Sequence, residues 1–92
     1  MQYAFFKVNA NVIIEKKSES KMLIRNTIIG EKMALKDKTD IKIITIFFSD
    51  PNVSVEQISA KIELNRNRIM FLFKKLENRK FLVATQEYDL FD

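Results

Sequence analysis

Asn65-Arg66-Asn67-Arg68 opens a helical pattern that puts Ile69, Leu72, Phe73 and Leu76 on one side. At about 100° per residue these four fall within roughly 100° of arc, which makes them the buried stripe. The opposite face presents Asn67, Met70, Phe71, Lys74, Lys75 and Asn78, with Arg66 and Arg68 towards its flanks. These are residue types that bind rather than transform. Arginine pairs bidentately with guanine and asparagine with adenine, so the Asn65-Arg66-Asn67-Arg68 run suits a DNA major groove. Met70 and Phe71 beside Lys74 and Lys75 suit an amphipathic peptide instead. Structural roles compete with both: Phe71 can pack beneath other elements, and Lys74 and Lys75 can form a solvated face. Arg66 and Arg68 at a helix start oppose the macrodipole, a small hint of an external anion.

The rest of the composition narrows the chemistry further. The 92 residues contain neither Cys nor His, which removes thiol nucleophiles, zinc-thiolate sites, disulfides and the commonest general base. A non-enzymatic protein with no metal and no cofactor is expected. The net charge of +4 is unevenly spread: residues 1–85 hold sixteen Lys/Arg against nine Asp/Glu, while residues 86–92 hold three acids and no base. A basic body suits an acidic partner, and the charges also suit an ordinary solvated surface. With 47% hydrophobic and 30% charged residues, one Gly and one Pro, the chain reads as one globular domain over residues 1–85, followed by an acidic tail at 86–92. No run approaches the roughly twenty apolar residues of a membrane span, and no signal-peptide core is visible, so a cytoplasmic protein is expected.

The elements that must position the helix precede it. Val12 to Lys16 and Met22 to Ile29 are β-branched runs separated by Ser18-Glu19-Ser20, and Gly30 leads into Lys32 to Lys36, where Met33 and Leu35 alternate with lysines. These predict three antiparallel strands within residues 11–36. Thr39 is a candidate N-cap for a first helix carrying Ile41, Ile44, Phe47 and Phe48, stopped by Asp50-Pro51-Asn52. The IKIITIFF run is β-branched enough to be a buried strand instead. Ser54 with Gln57 forms a capping-box pattern for a second helix bearing Val55, Ile58 and Ile62. Leu64 and Asn65 make the turn, Asn65 caps a third helix running to about Arg79, and Phe81-Leu82-Val83 is extended and buried.

In this order the chain resembles the RiPP recognition element, the peptide-binding winged helix typified by the pyrroloquinoline quinone peptide chaperone. The likeness is carried by VNANVIIEKK, KMLIRNTIIGEKMALKD, KTDIKIITIFF, VSVEQISAKI and NRIMFLFKKLENRKFLV, over about residues 8–83. It implies an α+β winged helix-turn-helix fold, with an N-terminal three-stranded antiparallel sheet packed on three helices. It also implies that the leader of a ribosomal precursor peptide adds as a strand to Lys32, Met33, Ala34, Leu35 and Lys36. The leader would then pack on Asn67, Met70, Phe71, Lys74, Lys75 and Asn78 and be delivered to a modifying enzyme in natural-product biosynthesis. Residues 39–85 also resemble winged-helix transcription regulators, which implies double-stranded DNA bound as a dimer through Asn65, Arg66, Asn67 and Arg68. Strands ahead of the helices and the acidic Glu87, Asp89 and Asp92 where a phosphate-contacting wing would lie favour the peptide, since DNA affinity comes from cations that displace counterions.

Overall fold

Alternation of β-branched and polar residues from Val12 onward gives a meander of antiparallel strands. A computed structural model describes residues 3–85, so the acidic tail expected at 86–92 lies outside the described residues. Within them run β1 (Phe6–Val8), β2 (Val12–Ser18), β3 (Lys21–Asn26), β4 (Glu31–Leu35), α1 (Lys38–Ser49), α2 (Val55–Ile62), α3 (Arg66–Asn78) and β5 (Leu82–Ala84). The fold is α+β, with three helices and antiparallel sheets. β2, β3 and β4 form a three-stranded sheet in that order, registered by Ile14 opposite Ile24 and Ile24 opposite Met33. Period-two alternation sends Met22, Ile24 and Leu35 into the core and turns Lys21, Arg25, Lys32 and Ala34 to solvent.

β1 is absent from the sequence reading. It pairs with β5 through Phe6 opposite Ala84 and Val8 opposite Leu82, so the extended run after α3 is stitched to the beginning of the chain. Apolar character alone gives no partner for a three-residue strand whose mate lies more than seventy positions away. The ribbon is nonetheless well anchored: Thr85 donates its amide to the Phe5 carbonyl at 3.0 Å, and Asn9 donates to that of Phe81 at 3.0 Å. Phe6 stands edge-on to Phe73 at 5.1 Å between centroids, and Phe73 meets Phe47 at 5.1 Å. This aromatic row joins β1, α3 and α1 at the centre of the core.

The second run ends earlier than expected. Residues 27–30 form a turn, not strand, and leave Ile28 and Ile29 exposed. The Asn26 carboxamide oxygen accepts the amides of Ile28 and Ile29 at 3.1 and 3.4 Å, the Asn26 carbonyl accepts from Gly30 at 2.9 Å, and Gly30 takes φ +76°. Asparagine can bond the backbone two residues on, and glycine enters the left-handed region without a Cβ clash. Local hydrogen bonding therefore outweighs the β propensity of the two isoleucines.

α1 is a helix and not the alternative strand. Its N-cap is Asp37, not Thr39: the Asp37 carboxylate accepts from the amides of Thr39 and Asp40 at 2.7 and 3.2 Å. A carboxylate caps better than a hydroxyl because it also meets the positive end of the helix dipole. These bonds, with Arg68 nearby, hold the Asp37 carboxyl below its ordinary value. The β-branched and hydroxyl side chains are accommodated by burial of Ile41, Ile43, Ile44 and Phe47 and by back-bonding of Thr45 to the Ile41 carbonyl at 2.7 Å.

Candidate functional site

The capping box at Ser54 sets the start of α2. The Ser54 hydroxyl accepts from the Gln57 amide at 3.0 Å, and the Gln57 carboxamide oxygen accepts from the Ser54 amide at 2.8 Å. α2 stops at Glu63, which adopts φ +53°, ψ +49°, a left-handed geometry usually taken by Gly or Asn at helix ends. The turn is closed by the Leu64 amide on the Ser59 carbonyl at 3.1 Å and by the Ser59 hydroxyl on the Leu64 carbonyl. Only Glu63, Leu64 and Asn65 separate α2 from α3, the spacing of a helix-turn-helix. Asn65 caps α3 as expected, its side chain accepting from the Asn67 amide at 2.7 Å.

Ile69, Leu72, Phe73 and Leu76 are all buried, so the helical phase read from the sequence holds. The outward face follows. Asn67, Phe71, Lys74, Lys75 and Asn78 are exposed, and Phe71 is 70% accessible. Met70 differs: it is half-buried against the core. Lys74 lies 3.5 Å from the Glu77 carboxylate and 5.9 Å from the centre of the Phe6 ring, which draws it towards β1.

The two arginines are engaged within the domain. Arg68 donates to Asp40 Oδ1 at 2.5 Å and lies 3.7 Å from Asp37 Oδ2, joining the first turn of α3 to the start of α1. Arg66 donates through Nε to the Glu56 carboxylate, whose other oxygen accepts the Ala4 amide at 2.9 Å. Glu56 therefore ties the N-terminal segment, α2 and α3 together. No signal in the local sequence marks it, because its partners lie 52 and 10 positions away. At the other end, Lys80 takes φ +69° and its carbonyl accepts from both Asn9 and Asn26 side chains at 2.8 Å, while Arg79 donates to Glu31 at 3.3 Å and to the Lys32 carbonyl at 2.8 Å. α3 is thus braced at both ends, and among the described residues its outer face is left open.

Burial opposes ionisation of Glu56, but the Arg66 hydrogen bond and the Ala4 amide outweigh it, and its carboxyl sits below the ordinary 4.5. A depressed carboxyl adds stability that is present above the unfolded value and lost as pH falls through the folded one. Glu56→Gln keeps an acceptor for Ala4 and loses the charge. Its expected cost is about 1 kcal/mol at neutral pH, and urea melts should show the difference from the parent shrinking as the pH drops below 4.5.

The strand expected to receive a peptide is only partly available. In β4, Lys32 and Ala34 point outward and Lys36 follows as an exposed residue, but Met33 is half-buried and Leu35 is core. β4 is an edge strand, joined to the end of α3 by the Arg79 bonds. A separate groove of about 570 Å³ lies between the β2–β3 turn and the helices, its rim carrying Glu19 among Lys16, Lys38, Lys42 and Lys61; it contains no residue of α3. Among the described residues no cluster of His, Cys, Asp or Glu could hold a metal ion, and no helix is long and apolar enough to cross a membrane.

The sequence model of a family described as winged helix-turn-helix DNA-binding matches residues 36–82. That span runs from the approach to α1 into β5 and covers half of the chain. No curated protein and no solved structure matches. The match overturns the expectation of a leader-peptide carrier in natural-product biosynthesis, because the family is described by DNA binding. The geometry supplies the physical reason. The peptide reading took Met33, Leu35 or Ala34, depending on register, with Met70 and Phe71 as receiving hydrophobes; Leu35 is core, Met33 and Met70 pack against it, and only Ala34 and Phe71 are exposed.

Proposed function

We propose, for a chain that belongs to the winged helix-turn-helix DNA-binding family, that it binds double-stranded DNA with α3 in the major groove and acts as a transcription regulator rather than as an enzyme. The observation that carries this reading is the tight α2–α3 turn that presents the exposed outer face of α3, with Asn67 in its first turn and Lys74 and Lys75 further along. A recognition helix reads base edges with its N-terminal residues and lets flanking cations meet phosphates. In this reading Asn65 and Asn67 contact base edges and Lys75 a phosphate. Arg66 and Arg68 take a bracing role through Glu56 and Asp40. Binding as a dimer on a palindromic site would set half-sites about 34–36 Å apart. A chromosomal partner agrees with a cytoplasmic protein.

Fluorescence anisotropy with a labelled duplex tests the reading. Log affinity should fall linearly with log salt, by about 0.9 for each phosphate neutralised, and Lys75→Ala should reduce the slope by about that amount. A flat salt dependence would overturn the proposal, and the stoichiometry of the same titration reports one or two copies per duplex.

A further inference from the structure

Phe71 is the one residue on the outer face of α3 that the electrostatics of DNA binding does not explain. It is 70% accessible, it can make no hydrogen bond to a base or phosphate, and it sits one turn after Asn67 on the same side of the helix. We infer that α3 reads A·T base pairs, with Phe71 against the 5-methyl group of a thymine and Asn67 paired to an adenine; this rests on the reading of α3 as a major-groove helix.

Three observations converge on A·T. The first is what the accessible side chains can recognise: carboxamides pair with adenine N6 and N7, and an apolar side chain finds in the major groove only the thymine methyl. Asn67 and Phe71 supply one of each, four residues apart, so they can reach neighbouring base pairs. The second is what has been withdrawn. Guanine is read chiefly by arginine at O6 and N7, and both arginines of the first turn hold carboxylates, Arg66 on Glu56 and Arg68 on Asp40. Turning either to a guanine would leave a partly buried carboxylate without its cation. The third is the disposition of Lys74, which is held by Glu77 and the Phe6 ring and so is drawn away from the base edges. The aromatic ring gains from leaving water only if an apolar group meets it, and the thymine methyl is that group.

The experiment uses the whole chain and three labelled duplexes: one of alternating A·T pairs, the same duplex with uracil replacing every thymine, and one of alternating G·C pairs. Uracil differs from thymine only in lacking the 5-methyl. The parent protein should bind the A·T duplex at least about twentyfold more tightly than the G·C duplex, the product of one carboxamide–adenine pair and one thymine methyl. Substitution by uracil should weaken binding roughly fourfold, the effect of one buried methyl-sized group. Phe71→Ala should bind the thymine and uracil duplexes equally, and Asn67→Ala should lose most of the A·T over G·C preference while still distinguishing thymine from uracil. Thermal melts of both variants should match the parent, as both positions are exposed. Equal binding of thymine and uracil duplexes by the parent, or discrimination that survives Phe71→Ala, overturns the inference while DNA binding stands. Failure to bind any of the three at low salt overturns the DNA-binding reading with it.

Discussion

Phe73→Ala should cost about 3–5 kcal/mol, the range for truncating a buried aromatic side chain. Phe73 is where α3 meets the rest of the molecule: its ring contacts Phe6 of β1 edge-on and Phe47 of α1 at a tilt, both at 5.1 Å. Truncation removes two aromatic contacts as well as buried area, and three elements would have to close on the space together. Small domains have only about 5–15 kcal/mol in total, so the melting transition monitored by circular dichroism should fall by tens of degrees or disappear. Phe71→Ala provides the control within the same helix. Two positions away and 70% exposed, it should move stability by no more than about 0.5 kcal/mol. Similar losses for the two variants would mean that the phase of α3 is wrong, and with it the assignment of an outer face.

That phase was legible in the sequence, and the reason is locality. The stripe of Ile69, Leu72, Phe73 and Leu76, the capping box of Ser54 with Gln57 and the cap at Asn65 depend on neighbours within four or five positions. What the sequence did not show was decided in part by distant partners and in part by nearby side-chain acceptors that outcompete propensity. β1 exists because Leu82–Ala84 lies beside it. Arg66 and Arg68 have carboxylate partners, Glu56 and Asp40, that lie 10 and 28 positions away and that no local pattern marks. Ile28 and Ile29 looked like strand because their propensity is high, whereas the Asn26 side chain and the left-handed Gly30 bend the chain there. Asp37 outcompeted Thr39 as the α1 cap for a reason visible two residues away, namely the stronger acceptor. The functional choice failed on a subtler point. An apolar outer face of Met70 and Phe71 was expected, but helical flanks are where burial is decided by what packs alongside, and Met70 leans into the core. A single exposed phenylalanine on an otherwise polar face is a poor floor for a peptide.

Arg68→Met separates a brace from a phosphate contact. In the folded protein the Asp40 side chain is only 14% exposed and its carboxylate is met by the Arg68 guanidinium at 2.5 Å. Methionine retains much of the stem packing and removes the charge, leaving a partly buried carboxylate without its cation. The expected loss is about 1–3 kcal/mol in urea melts; Asp40→Asn should lose less, because an amide there needs no counter-charge. The double variant should be more stable than the sum of the two losses predicts, with a coupling of about 1–2 kcal/mol. Duplex binding gives the second readout. If Arg68 only sets the angle of α3 against α1, Arg68→Met weakens affinity at every salt concentration and leaves the slope of log affinity against log salt unchanged, because no phosphate contact has been removed. A slope reduced by about 0.9 with stability intact would make Arg68 a phosphate ligand and release it from the brace. The inference that α3 reads A·T would then lose one of its three supports, since the arginine side chains would be available to the duplex after all.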